Sequence, residues 1–227
     1  MTKTKGKLSA SMMCTGIDKI FYYLTEFKEC NIELLHIDIM DGDFVPNLAL
    51  GTDYVKSLRR ISSIPFDYHF LVNNALEKMS WFDIREGDQV SFHYENNDKI
   101  QECLNYLKRL GAKKFIAINP DTDYHVLDPY LDQLDGILVM TVYPGFAGQK
   151  IVPTSFDKVK SLNNYLHELG KTNIEIEVDG NISIENAAKL YQVGASIFVA
   201  GSSSLFAKSE LSTSEIIEKK RAVIGWK

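Results

Sequence analysis

The sequence predicts an α/β fold, a single-domain (β/α)8 barrel of the TIM type. Short apolar or β-branched runs recur about every 25 residues, and charged amphipathic stretches separate them. Such strand–helix alternation favours parallel strands joined by right-handed crossovers. Eight repeats of this unit are the number that closes into a barrel.

The eight strands can be placed from their apolar runs, in chain order. They are Leu8–Ser11, Leu34–Asp38, Phe66–Leu71, Gln89–His93, Phe115–Asn119, Gly136–Met140, Ile174–Val178 and Ile197–Ala200. Helical patterns between them include Lys99–Leu110, Phe156–Leu169 and Ile184–Val193. Ser183 is a candidate N-cap of the third helix, and Gly111 and Gly194 occur where helices should end.

The composition favours one domain over residues 1–227, with 45% hydrophobic and 24% charged residues. A net charge of −5 argues against a nucleic-acid surface, and we expect the basic cluster Lys219-Lys220-Arg221 to be solvated. No 18-residue apolar run occurs, so we expect neither membrane binding nor secretion. Three cysteines without CxxC spacing fit a reducing, cytoplasmic compartment.

Two segments about 140 residues apart each end an apolar run in a carboxylate and a glycine, at Leu35–Gly42 and Ile174–Gly180. Their carboxylates, Asp38 and Asp179, are our candidate catalytic pair. His36 is two residues before Asp38 and therefore shares its face of a strand. His69 comes late in a third run, and two histidines with two carboxylates are a plausible ligand set for a divalent metal.

Each of these residues also has an ordinary structural interpretation. The histidines of strands are often hydrogen-bonded structural residues, and Asp179-Gly180 is a common turn dipeptide. For Asp41, which also precedes a glycine, the turn is the stronger interpretation. His93 is equally consistent with lining a site and with a core position. The barrel architecture favours function, because active sites of such barrels lie at the carboxyl ends of the strands.

Three long motifs resemble those of a known family: His36–Gly42 continuing through Phe44–Asn47, then Val139–Gln149, then Glu177–Gly180. From about Leu8 to Phe206, the chain resembles the ribulose-phosphate 3-epimerases and the related allulose-6-phosphate 3-epimerases. The resemblance implies a cytoplasmic enzyme that interconverts D-ribulose 5-phosphate and D-xylulose 5-phosphate through a metal-stabilised enediolate. It also implies a homo-oligomer, a dimer or a hexamer.

The resemblance assigns roles to the candidate residues. Asp38 and Asp179 become the acid–base pair at C3 of the substrate. With His36 and His69 they would hold one divalent ion per chain, zinc first, with iron, manganese or cobalt as alternatives. The implied contacts to the ketose phosphate are Ser11, His69, Met140, Gly145, Phe146, Ala147, Gly148, Gly180, Asn181, Gly201 and Ser202. Met13 and Met40 would join Met140 over the metal, although ordinary filling of the core explains these three methionines nearly as well.

Two departures from the family pattern leave the substrate open. Many ribulose-phosphate 3-epimerases have a second glycine at the position of Asn181 and a histidine at that of Asp43. Because Asn181, the starting stretch Ser11–Cys14 and the loop form Phe146–Gly148 look more like the allulose branch, D-allulose 6-phosphate and D-fructose 6-phosphate are the alternative substrate pair. A phosphosugar-binding barrel without catalysis is a further alternative, although binding alone would not need two carboxylates beside a metal.

Overall fold

Eight parallel strands form a closed barrel in the computed structural model, which describes residues 4–95 and 97–226. The barrel strands are β1 Lys7–Ser11, β2 Leu34–Asp41, β4 Phe66–Leu71, β5 Gln89–His93, β6 Lys113–Ile118, β7 Gly136–Met140, β8 Glu175–Asp179 and β9 Ile197–Ala200. The first strand, β1, pairs with both β2 and β9, which closes the sheet. The predicted fold and all eight predicted strands are confirmed.

Strand β2 is three residues longer than predicted. Met40 and Asp41 pair with a short antiparallel strand, β3 Leu48–Ala49, which adds a hairpin to the rim of the barrel. The side chain of Asp41 accepts hydrogen bonds from the backbone N–H groups of Asp43 and Phe44, both at 2.9 Å. Asp41 therefore closes a turn, as predicted.

In the described part of the chain, seven α-helices surround the barrel: α1 Ile20–Glu29, α2 Thr52–Ile61, α3 Ala75–Met79, α4 Ile100–Leu110, α5 Ser155–Glu168, α6 Ile184–Gln192 and α7 Thr213–Val223. Shorter 3-10 turns span Met12–Cys14 and Ile17–Lys19, and a 3-10 segment at Tyr124–Gln133 connects β6 to β7. Ser183 caps α6 by accepting the N–H of Asn186 at 3.1 Å, and Gly111 ends α4 with φ +70°. Gly194 follows the end of α6 with φ +120°, so all three predicted helix signals are confirmed.

The interior of the barrel contains a buried apolar layer. Leu34, Phe115 and Ile197 belong to strands that are not neighbours, yet they form one buried cluster, so they meet across the interior. Gly136 makes room for Phe115, because a Cβ there would lie 2.0 Å from its ring. These three apolar residues form a buried layer inside the barrel, and the ion pair between Lys7 and Glu175 lies at the amino-terminal ends of β1 and β8.

Most of the remaining apolar side chains are buried between the strands and the helices, in one large cluster. Helix α4 shows the pattern, with Ile100, Cys103, Leu104 and Leu107 buried on one face. Within residues 4–95 and 97–226, every helix is too short or too polar to span a bilayer.

Candidate metal and acid–base site

The four predicted metal ligands converge at the carboxyl end of the barrel. His36 and Asp38 come from β2, His69 from β4 and Asp179 from β8, and one ligand atom of each lies within 4.8 Å of all the others. The register of β2 and β4 sets Asp38 directly beside His69. The structure thus brings together residues up to 143 positions apart, from His36 to Asp179.

The distances show which ring nitrogens face the centre of this group. His36 Nε2 lies 3.2 Å and His69 Nδ1 lies 3.3 Å from Asp38 Oδ1. Both nitrogens lie 3.8 Å from Asp179 Oδ2. Two imidazole nitrogens and two carboxylates therefore point at one small volume.

His36 provides a test of whether this volume suits a cation. Its ring is fully buried, and its Nδ1 hydrogen-bonds to Asp67 Oδ2 at 2.7 Å. Its Nε2 has no hydrogen-bond partner among the described residues, although it faces the carboxylates. Buried polar atoms rarely lack a partner, and a neutral imidazole nitrogen beside carboxylates is a typical ligand of zinc and similar ions. The residues fit a divalent metal.

A polar layer lies beneath these ligands. Asp67 Oδ2 accepts hydrogen bonds from Ser9 Oγ and from the His36 ring, each at 2.7 Å. Gln89 Nε2 donates to Asp67 Oδ1 at 2.9 Å and to Glu177 Oε2 at 2.6 Å. All these side chains are buried. The network fixes the orientation of the His36 ring, as residues behind a metal-ligating histidine commonly do.

Sequence reasoning missed this polar layer, although a signal was present. Asp67 precedes His69 by two residues, and Glu177 precedes Asp179 by two. The same spacing had identified His36 with Asp38, because residues two apart share one face of a strand. Applied to β4 and β8, the rule finds both buried carboxyl groups.

His93 lies behind His69 and not in the wall of the cavity. Its Nε2 is 3.0 Å from His69 Nε2, and its Nδ1 is 3.0 Å from Glu95 Oε2. The ring is 2% exposed and packs on Phe44 with centroids 4.8 Å apart. From the sequence, His93 could equally line the site or belong to the core. In the structure it is buried and contacts the predicted ligand His69.

The two carboxyl groups of the site have opposite protonation preferences without a metal. Burial alone would raise the pKa of Asp38, but the nearby charge of His36 and the contact with His69 outweigh it and hold the pKa well below its usual range. Burial raises the pKa of Asp179 to about 7, and the nearby charge of Asp38 adds to that effect. One group is therefore a carboxylate, while the other can hold a proton near neutral pH.

A cavity opens above these groups, between the loops that follow the strands. It is lined by Asp38 and Asp179 and by all eleven predicted substrate contacts, namely Ser11, His69, Met140, Gly145, Phe146, Ala147, Gly148, Gly180, Asn181, Gly201 and Ser202. Met13 and Met40 line it as well. The predicted contact residues are thus brought together on one surface.

The loop after β8 contains two successive residues with positive φ, and both residue types tolerate that conformation. Gly180 has φ +116°, and a Cβ there would lie 2.6 Å from Val142 Cγ2, so only glycine fits. Asn181 has φ +53°, the left-handed conformation that asparagine tolerates well. The backbone N–H groups of Asn181 and Ser203 find no acceptor among the residues described. They are available to an anion in the cavity.

The two departures from the family pattern differ in their location. Asn181 lines the cavity, and its Nδ2 donates to the backbone oxygen of Gln149 at 2.6 Å, in the loop after β7. Asp43 is exposed and accepts a hydrogen bond from Asn73, away from the residues that line the cavity. Of these two positions, therefore, only Asn181 faces the cavity.

Comparison with known proteins gives a consistent result. Residues 7–206 match the model of the ribulose-phosphate 3 epimerase family. The chain is 38% identical over 196 residues to a ribulose-phosphate 3-epimerase of Buchnera aphidicola, covering 86% of each protein. It is 32% identical over 207 residues to one from Methanocaldococcus jannaschii, covering 91% of this chain and 87% of the relative.

A solved structure supports the fold independently. A mutant tryptophan synthase α-subunit from Pyrococcus furiosus superposes with a TM-score of 0.62 at 15% identity, covering 99% of each chain. At that identity the likeness concerns the fold alone. The family match over most of the chain, by contrast, extends through all four converging ligand residues. The chain belongs to the ribulose-phosphate 3-epimerase family.

Proposed function

We propose that this chain interconverts D-ribulose 5-phosphate and D-xylulose 5-phosphate. The observation that carries the proposal is the meeting of Asp38 and Asp179 in one cavity, beside the ring nitrogens of His36 and His69. The two carboxyl groups reach this point from β2 and β8, which are separated in the closed sheet by β1 and β9. The relatives named for this reaction support the choice of substrate.

His36 Nε2, His69 Nδ1 and the carboxylates of Asp38 and Asp179 would hold one divalent ion, with zinc our first expectation. When bound, such an ion stabilises the negative charge that develops on a substrate oxygen as a neighbouring carbon loses its proton. The ring of His36 is held for this role by Asp67 at 2.7 Å. Neutral imidazoles and ionised carboxylates are the forms that bind a metal, so binding releases protons.

Asp38 and Asp179 would move the proton at C3. One group removes the proton from one face of the substrate as a carboxylate, while the other donates a proton to the opposite face as an acid. Their roles exchange with the direction of reaction. Met13, Met40 and Met140 line the cavity beside them and would keep water from the reacting carbon.

The phosphate group would bind to the loops after β8 and β9, through Gly180, Asn181, Gly201 and Ser202. The glycine backbone allows close approach, and the N–H groups of Asn181 and Ser203 are not used within the described chain. The loop Gly145–Gly148 would cover the sugar. We further propose that residues 1–227 act as one domain in a cytoplasmic homo-oligomer, which the family resemblance favours.

A coupled assay with purified protein tests the substrate. D-ribulose 5-phosphate and D-allulose 6-phosphate are compared under identical conditions, and we expect a kcat/KM for the pentose at least about tenfold higher. A preference for the hexose would assign the chain to the alternative reaction. Binding of both sugars without turnover, in protein loaded with each candidate metal, would leave only a phosphosugar-binding role.

A further inference from the structure

Lys220 is buried although it belongs to a cluster of basic residues near the end of the sequence. The expectation that Lys219-Lys220-Arg221 is solvated is wrong for Lys220, whose side chain is 0% exposed. It lies four residues after Ile216 on α7, on the face that this helix buries. The family match ends at residue 206, before α7 begins.

The Lys220 ammonium group joins the two loops assigned to the phosphate. Its Nζ donates to the backbone oxygen of Ile182, in the loop after β8, and to Ser204 Oγ at 2.9 Å, in the loop after β9. Ile182 lines the cavity itself, and Ser204 follows Ser203, which also lines it. The lysine therefore lies directly behind the surface that faces the phosphate.

The charge of Lys220 has no counter-ion in the parts of the chain that the structure describes, since every ion pair found there involves other residues. Isolating an ammonium group from water is costly, and proteins rarely do so without a partner. Burial is the cause that lowers the pKa of Lys220 to about 7. A phosphate dianion on the other side of the two loops would supply the missing negative charge.

We propose that Lys220 is a positioning residue that holds the two phosphate-binding loops together and attracts the phosphate group of the substrate through them. It does not touch the substrate, because Ile182 and Ser204 lie between. The inference rests on the proposed function, since it requires that a sugar phosphate binds these loops. The attraction acts on binding and not on proton transfer, because Lys220 is behind the phosphate loops and not beside Asp38 or Asp179.

The test uses the full-length, metal-loaded enzyme with Lys220→Met and Lys220→Gln. Met removes both charge and hydrogen bonds, whereas Gln keeps a neutral donor. In both variants we expect the KM for D-ribulose 5-phosphate and the inhibition constant of inorganic phosphate to rise at least about tenfold, with kcat changed less than about threefold. If Lys220 only stabilises the fold, both variants should melt at a lower temperature, but KM should not rise while kcat stays nearly constant.

Lys158→Met is the matched control. Lys158 on α5 also donates from Nζ to loop carbonyl groups, those of Asn119 at 2.6 Å and Pro120 at 3.2 Å, but this loop follows β6. Removal of the Lys158 ammonium group should leave the inhibition constant of inorganic phosphate unchanged. If phosphate does not compete in the wild-type enzyme, the proposed phosphate site fails. If it competes equally well in wild type and in either folded Lys220 variant, the role of Lys220 is overturned.

A measurement on the wild-type protein keeps the proposal testable if neither Lys220 variant folds. The buried ammonium group of Lys220 is observed by 15N NMR, and the Lys158→Met spectrum separates the signals of the two lysines. Saturating inorganic phosphate should shift the Lys220 signal and leave that of Lys158 in place. An unmoved Lys220 signal, in a protein that binds phosphate, would contradict the proposal.

Discussion

His93 Nε2 lies 3.0 Å from His69 Nε2, so a buried histidine contacts a predicted metal ligand from the side away from the metal site. If His69 presents Nδ1 to the metal, its Nε2 carries the proton and donates to His93 Nε2. His93 must then carry its own proton on Nδ1, which faces Glu95 Oε2 at 3.0 Å. Glu95 is held in turn by the backbone N–H of Asn119 at 2.6 Å. The chain of contacts thus fixes one tautomer of each ring.

Replacing His93 with Leu should weaken metal binding about 10- to 100-fold, because the His69 ring loses the acceptor that orients it. Metal affinity is measured by competition with a chelator of known affinity. His125→Leu is the control, since His125 is exposed. Equal affinities in wild type and His93→Leu would show that His93 only fills space.

Removal of the metal should abolish turnover and leave the barrel folded. The ligands come from three strands of a barrel with a large apolar core, so the fold does not depend on them as a small zinc domain would. Elemental analysis of the purified protein should find about one divalent ion per chain. Circular dichroism before and after chelation reports the fold. A fully active preparation without stoichiometric metal would contradict the proposed chemistry.

Asp38→Asn and Asp179→Asn should each slow epimerisation by at least roughly a thousandfold, about 4 kcal/mol in the activation free energy. Loss of metal could give the same result, so the variants are compared only after their metal content is shown to be intact. Exchange of the C3 hydrogen with deuterated water then separates the two roles. A variant that lacks one group should still exchange the proton of one epimer slowly, without inverting it.

If both metal-loaded variants epimerise at a rate near that of wild type, the acid–base assignment is wrong. The proton would then have to be carried by another group that lies within reach of C3. Comparison of the two epimers as starting substrates identifies which face each carboxyl group serves.

Lys220 should make stability depend on pH. Burial lowers its pKa from the ordinary 10.5 to about 7 in the folded chain. Between these values the unfolded chain binds more protons, so the free energy of unfolding rises with pH, by at most about 1.4 kcal/mol per unit from this group. Urea denaturation without phosphate at pH 7, 8 and 9 should show wild type gaining stability relative to Lys220→Met. If the difference in unfolding free energy between wild type and Lys220→Met is the same at all three pH values, Lys220 does not titrate in this range.

The sequence alone was sufficient to predict the barrel and the convergence of four candidate ligand residues at one end of it. Strand β2 illustrates why, because the alternation that places His36 and Asp38 on one face is a local property of an extended chain. The carboxyl ends of parallel barrel strands then meet at one edge whatever the helices between them contain. Asp38 and Asp179 could therefore be paired without knowing any contact between them.

The tertiary structure decided the contacts made between side chains that are distant in the sequence. The hydrogen bond from Gln89 to Glu177 spans 88 residues, and that from Asn181 to Gln149 joins two different loops. A local pattern cannot predict such contacts, because they depend on how strands and loops are positioned around the closed barrel. Lys220 is the clearest case, since only the packing of α7 against the loops turns a basic residue near the end of the chain into a buried charge.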